Sequence, residues 1–513
     1  MADMPEEKLG YERLGAKRLR LVDCISQSVG FMGPVFSAAF LIPLIAGVSA
    51  SGKGAGVATP LAVLLAAIGT FALGWIVAQY AKRVHAAGSL YDYVSNGLGG
   101  RAGAFAGWIY YGGTTVLASA IACLVGWYVH DVIFTVDPAV PGVLSSTSPL
   151  PMWGWSLIFV AAVFLVQYLG VHISTRAQLT LALASAVVVL AFFVKVIVDA
   201  PNTNLEPFKP SSAADGWSGI MFGVLYGVLI FVGFETAANL GEETAEPKRS
   251  IPRAVLYTVL IATVFYLIAA YAQIVGFGQD LSVITDPAVA AAPLFALGSP
   301  TAAGGYGSDF ILKVLEVVVL LDILAVGLGA AVASARGVFA LARDRRIPGG
   351  LAAVAHRRGT PVAAIIFVEA VSLIMVGIAQ FADSVFASAS PSPHFFDMFL
   401  WLSTFGGFAL MVVYGLLALG SFWGLREGAN YVGVVIAALI GVAISVAAVF
   451  GGIYKQPSPF NLVWEYVAVW AVLGLIVAFV MKGRAPASSV LDELRSDEAD
   501  GINPAGVRAE GIG

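Results

Sequence analysis

The chain has 513 residues, 59% of them hydrophobic and only 12% charged, with a formal net charge of −4. Soluble domains carry roughly a quarter charged residues, so this composition excludes a soluble core; apolar runs of about 20 residues, enough for a helix to cross a bilayer, recur along the whole chain. The runs are continuous rather than alternating, which argues against a β-barrel, and nothing in the charge calls for a nucleic-acid partner.

The pattern reads as an all-α polytopic membrane protein with twelve transmembrane helices. They are expected near 21–48, 59–81, 102–130, 152–171, 176–199, 217–241, 253–277, 309–341, 361–382, 395–422, 431–452 and 460–481. Residues 1–20 mix acids and bases, and a surface-lying helix and simple disorder both fit them. The first apolar run is long enough to stay in the membrane, so no cleavable signal peptide is expected.

The first span carries Ser28, Val29, Gly30, Phe31, Met32, Gly33 and Pro34 near its middle. Proline removes a backbone donor and each glycine weakens a helix by about 1 kcal/mol, so the helix should break there. In hydrocarbon a freed backbone group needs protein, water or a ligand, so a break implies a cavity; a structural proline kink is the plain alternative. Lys82 to Arg101, rich in Gly, Ser and Tyr, suits a helix lying at the inner interface, or an ordinary basic loop.

The sixth span repeats the interruption with Gly223, Gly227, Gly233 and the intramembrane carboxylate of Glu235. A carboxylate at membrane depth is a functional-site expectation in itself. Glu235 has three open roles: binding a substrate amine, carrying a coupling proton, or accepting hydrogen bonds from unwound backbone. The two breaks open two blocks of five spans, 21–199 and 217–422. Five is odd, so the blocks are related by inversion, and paired interruptions at matching positions mark a midplane binding site. A half-helix that starts in mid-membrane offers N–H groups to a carboxylate, and one that ends there offers carbonyls to an ammonium group. Together they suit a zwitterion such as an α-amino acid.

Within later spans, Asp322 and Glu369 are candidates for a proton relay or for structural, amide-paired carboxylates. Of 28 basic residues, the expected outer loops hold Lys53, Lys209 and Lys455, and Lys195, Lys313 and Arg336 lie in spans; the rest fall on the N-terminal side. That bias places both termini in the cytoplasm and the protein in the cytoplasmic membrane. Glu242, Glu243, Lys248, Arg249 and Arg253 then face Arg343, Asp344, Arg345 and Arg346 at the inner surface, either as a gate of ion pairs or as topology-setting charge. Residues 431–481 form two further helices, and 482–513 read as a disordered tail. Cys24 and Cys123 sit in spans and the five histidines lack ligand spacing, so no disulfide, metal or cofactor is expected.

The stretch Phe231, Gly233, Phe234, Glu235, Ala238, Leu240, Glu242, Glu243, Pro247, Lys248, Arg249, Ile251, Pro252 and Arg253 resembles the signature across the sixth and seventh helices of the amino acid, polyamine and organocation (APC) superfamily. Gly30 with Gly33 and Pro34, Gly88 to Tyr93 with Gly97 to Gly99, and Ser334, Arg336, Ala342, Arg343, Asp344 and Pro348 agree with it in order along the chain.

The resemblance implies a five-plus-five inverted repeat with two peripheral helices, alternating access, and secondary transport. Its substrate would be an amino acid or related amine, with proton coupling ahead of sodium. It implies a substrate carboxylate near Gly30 to Gly33, with Ser28, Phe31 and Met32 around it, and an amino group near Phe231, Gly233, Phe234, Glu235 and Thr236. Some proton-coupled relatives place a lysine in mid fifth helix, where this chain has Ser185; Lys195 lies about ten residues beyond. Ser185 and Ser334 are therefore candidate hydroxyls for an ion, beside Glu235. Rival readings are a polyamine, amine or potassium transporter of the same fold, a non-transporting sensor, and an intramembrane enzyme.

Overall fold

In a computed structural model, the structure describes residues 19–47, 54–84, 86–134, 143–144, 146–284, 293–355, 359–382, 393–427, 430–453 and 458–481. The expected N-terminal segment up to residue 18, the acidic tail 482–513, Lys53, Lys455, His85 and His356 lie outside them. Among the described residues there are helices and isolated bridges but no strand.

Among the described residues, ten helices are long and apolar enough to cross a membrane. The first crossing is split into α1 (Leu21–Met32) and α2 (Pro34–Phe36), the latter running on through a π segment, Ser37–Leu41, into Ile42–Ala46. There follow α3 (Thr59–Ala81), the short α4 (Leu90–Leu98), α5 (Gly100–Tyr128), α6 (Met152–Leu169) and α7 (Val171–Asp199). After α8 (Gly216–Leu229) come α9 (Pro247–Gly276), α10 (Asp309–Arg343), α11 (Val362–Phe381), α12 (Phe395–Gly424), α13 (Tyr431–Ile453) and α14 (Val463–Val480). The ten include neither α8, which is 14 residues long, nor the 35-residue α10. These two stand where the sequence places its sixth and eighth crossings.

Burial separates centre from rim. In Leu21–Ala46 94% of the most apolar window is buried, against 22% in Phe460–Val480. The interrupted first crossing is thus the axis of the bundle, and the last helix turns most of its apolar surface outward, as a lipid-facing helix does. Helix α1 packs on α7, α9 and α10; α12 packs along α5. Close crossings are set by glycine: a Cβ on Gly329 would lie 2.8 Å from the Phe31 backbone.

Both interruptions form as the residue types dictate. Gly33 adopts φ +54°, a left-handed conformation that L side chains resist, and Pro34 opens the next half-helix where its missing N–H costs nothing. Helix α8 stops at Leu229, passes through turns with Gly233 at φ +113°, and resumes as a 3-10 segment, Thr236–Leu240. The chain after Ala81 forms the expected short helix, α4, between the second and third crossings.

Candidate substrate-binding site

The two breaks meet. A Cβ on Gly233 would stand 3.0 Å from the Met32 backbone nitrogen and 3.0 Å from Phe31 Cβ, so the glycine lets one break pass directly over the other. Ser28 fastens them: its Oγ donates to the Phe234 carbonyl at 3.0 Å and accepts from the Ala237 N–H at 3.1 Å. Thr236 Oγ1 donates to the Gly233 carbonyl, closing the turn from within.

Beside the junction lies a cavity with about 390 Å³ of empty space, part of it open to solvent, lined by Phe31, Met32, Phe36, Leu41, Leu117, Ile121, Leu229, Val232, Val326 and Ser403. Its walls are apolar apart from Ser403. Phe36 and Leu41 follow the first break and Leu229 precedes the second. The cavity therefore extends toward the end of the bundle opposite Glu242 and Arg343.

Glu235 is fully buried and does not line this cavity. Its Oε1 accepts from Tyr110 at 2.6 Å and Tyr414 at 2.9 Å, and its Oε2 accepts from the Gly233 N–H at 3.3 Å. It thus accepts from two tyrosine hydroxyls and from one N–H of the unwound backbone. Phe234 packs on Tyr414, and Phe231 meets Tyr266 edge-on at 5.1 Å.

The first break carries a partner that sequence reasoning weighed but left outside the site. Asp322 of α10 accepts from the Val35 N–H at 2.9 Å and the Phe36 N–H at 2.8 Å, both through Oδ2. The donors of the break are then all accounted for: Gly33 N–H goes to the Val29 carbonyl, Pro34 has none, and Ser37 N–H goes to the Gly33 carbonyl. The acceptors are not. In an unbroken helix the Gly30 carbonyl would take the N–H of residue 34, which is proline, and that of Phe31 would take the Val35 N–H, which Asp322 holds. Three carbonyls beside Gly33, those of Gly30, Phe31 and Met32, thus lose their helical partners, and that of Met32 accepts instead from the Ser37 and Tyr266 hydroxyls. Gln27, missed altogether, donates to the Gly329 carbonyl at 3.0 Å and accepts from Gln178 at 3.3 Å, tying α1 to α10 and α7.

The other candidates fall elsewhere. Ser185 Oγ donates to the Leu181 carbonyl on its own helix; Ser334 is buried. Lys195 pairs with Asp199 on an exposed face. Glu369 accepts from Gln167 at 3.0 Å, making an amide-paired carboxylate. Among the described residues, no cluster of three or more His, Cys, Asp or Glu could hold a metal.

The charged end is assembled from only part of the expected set. Arg336 binds Glu243 through two nitrogens, at 2.7 and 3.3 Å, and Arg343 reaches Glu242 at 2.7 Å, all with side chains at most 7% exposed. Arg249 and Arg253 do not join them. Arg249 is surface-exposed and lies 4.0 Å from Glu246, and Arg253 is exposed, because their helical positions point away from α10. The residues that join from outside the expected set are Arg336 and Tyr91, whose hydroxyl donates to the expected Asp344 at 3.0 Å. Asp92 of α4 is buried among them; burial first, then the Asp344 carboxylate, push it well above the usual carboxylate range. Asp344 itself is raised by burial, against the pull of Arg343.

Residues 28–454 match the amino acid permease family. Among curated proteins, the chain is 24% identical over 345 residues to the branched-chain amino acid permease BcaP of Bacillus subtilis, covering 63% of this chain and 69% of the relative. It is 29% identical over 373 residues to an uncharacterized transporter of Mycobacterium tuberculosis, covering 72% and 76%. It is 24% identical over 357 residues to the low-affinity putrescine importer PlaP of Escherichia coli, covering 68% and 70%. Among solved structures, it resembles a manganese transporter of Eremococcus coleocola with a TM-score of 0.53 at 13% identity, over 96% of this chain and all of that one. That likeness is one of fold.

Proposed function

Because this chain belongs to the amino acid permease family, we propose that it is a secondary transporter importing an amino acid with an apolar side chain. It would do so by alternating access around the cavity at the two helix breaks. The observation that carries this reading is the junction itself, where two interrupted crossings meet beside one apolar cavity. The Gly30 and Phe31 carbonyls would receive the amino group, the N–H groups of Val35 and Phe36 the carboxylate, and the apolar walls the side chain. An apolar lining also agrees with a relative named for branched-chain amino acids. The family and its relatives are transporters, not enzymes.

Twelve crossings, in two inverted blocks of five plus two peripheral helices, follow if α8 with its 3-10 continuation and α10 are counted with the ten. The charged end is then cytoplasmic, and the Arg336–Glu243 and Arg343–Glu242 pairs close the inner path while the cavity opens outward. Proton coupling is the reading preferred over sodium. Glu235 acts as a positioning residue that holds the second break in shape through Tyr110, Tyr414 and Gly233.

One observation favours a second reading. Asp322 occupies the N–H donors that a substrate carboxylate needs, so an amine without a carboxylate is accommodated with less rearrangement; a relative is named a putrescine importer. The test is uptake of radiolabelled leucine, isoleucine, valine, phenylalanine and putrescine by purified protein in proteoliposomes under imposed proton or sodium gradients. Accumulation of an apolar amino acid under a proton gradient is expected. Putrescine uptake with no amino acid uptake would replace the first reading with the second.

A further inference from the structure

We infer that Asp322 is the proton-coupling residue: a substrate carboxylate displaces it from the Val35 and Phe36 N–H groups, and it leaves carrying one proton. The inference rests on the amino acid reading above and deepens it.

Three observations point to it. Asp322 is fully buried, and Oδ2 alone holds both N–H donors at the start of the helical run 34–46, while Oδ1 is buried with no hydrogen-bond partner. One of the two donor residues, Phe36, lines the cavity, and so does Val326, one turn beyond Asp322 on α10. Among the described residues no Lys, Arg or His lies within 4.0 Å of the Asp322 carboxylate, so the two N–H groups and the half-helix dipole are what hold its charge. The groups packed around it are few. From α9, Tyr266 directs its hydroxyl to the Met32 carbonyl; on α10 itself, Glu316 and Lys313 lie six and nine residues before Asp322, away from the Glu242 and Arg343 end; on α7, Lys195 is engaged with Asp199. From α5, Tyr128 donates to the Glu316 carbonyl; the first crossing carries no titratable side chain between Ser28 and Ala46, and its Ser37 hydroxyl donates to the Met32 carbonyl at 3.0 Å.

Four states of the site then differ in what they leave unsatisfied. Empty with Asp322 ionised, the donors and the charge satisfy one another, and the carrier can return. Empty with Asp322 protonated, the N–H groups lose their anion, so proton leak is disfavoured. Loaded with Asp322 ionised, two carboxylates compete for one pair of donors in a dry site, which like-charge repulsion forbids. Loaded with Asp322 protonated, the substrate carboxylate takes the donors and the aspartic acid is neutral. Only the first and last states cross. In balance, one proton from the open side binds one Asp322 carboxylate oxygen as one zwitterion binds, and both leave to the other side. One positive charge moves per substrate.

The test uses the full chain in proteoliposomes containing a pH-sensitive dye, with radiolabelled leucine as the probe and isoamylamine, its carboxylate-free counterpart. Wild-type protein is expected to take up one proton per leucine and to concentrate leucine at least tenfold under an acid-outside gradient. Asp322→Asn cannot release a proton; it is expected to retain leucine counterflow while its accumulation ratio falls to about one and luminal acidification disappears. An Asp322→Asn variant that still concentrates leucine with proton entry overturns the inference and leaves the permease reading intact. Wild-type leucine transport that moves no proton overturns it with no variant required. Transport of isoamylamine with no amino acid moved overturns the inference and the permease reading together.

Discussion

At the scale of single residues, the two interrupted crossings depend on side chains with opposite duties. Glu235 supports the second break without facing the cavity, so Glu235→Gln should act mainly through shape. The amide can still accept from Tyr110 and Tyr414 through its oxygen, but it turns an NH2 toward the Gly233 N–H that the carboxylate accepts. A loss of about 1–3 kcal/mol of stability is expected, with KM raised while gradient-driven accumulation persists. Tm and uptake kinetics check this; abolished accumulation with unchanged KM would make Glu235 a proton carrier instead. Gly33→Ala should be harsher, because the left-handed backbone costs about 1–2 kcal/mol with a Cβ present, and that Cβ would stand 2.0 Å from Val326 Cγ2. Lower Tm together with lost leucine uptake is the expected result. The glycines, the proline and Glu235 were legible as residues. Asp322 was legible as an intramembrane carboxylate and relay candidate, but its contact with the first break was not, because its partners lie 286 and 287 positions away.

At the scale of elements, the charged end ties the chain after α8 to α10 and α4. Arg336 and Glu243 are 4% and 6% exposed, so removing one partner strands a buried charge, a loss of about 3–5 kcal/mol, whereas replacing both by apolar residues costs far less. Glu243→Gln is accordingly expected to lower Tm more than the Arg336→Met/Glu243→Met pair, and both should speed opening at this end, read as faster efflux. Asp92 adds a pH dependence whose sign is fixed by its upward shift. Raised above its unfolded value, it contributes stability that is full at low pH and is lost as pH rises through its folded value. Tm should therefore fall from acid toward alkaline pH, and Asp92→Asn should remove that part of the slope. The sequence placed both charge clusters at one surface. It assigned Arg249 and Arg253 to the contact because charge and proximity in sequence cannot say which face of a helix turns inward.

At the scale of the whole molecule, alternating access requires the cavity to be reachable from one side at a time. Cys24 and Cys123 are both fully buried, so Ser403→Cys gives a nearly silent background for a membrane-impermeant thiol reagent. Labelling from outside is expected, slowed several-fold by leucine; labelling only from inside would reverse the orientation proposed for the cavity. Hydropathy and punctuation were enough to determine that the chain is a polytopic helical membrane protein and that Gly33–Pro34 and Gly233 interrupt two of its apolar runs. These are local properties: apolar length, a missing N–H and a positive φ are written in adjacent residues. Only the tertiary structure decided that the two breaks touch, that the cavity beside them is apolar, and that Asp322 holds the N–H donors after the first break. Those facts depend on which helix faces lie against each other, and helix packing joins residues hundreds of positions apart through contacts that leave no periodic trace in the sequence.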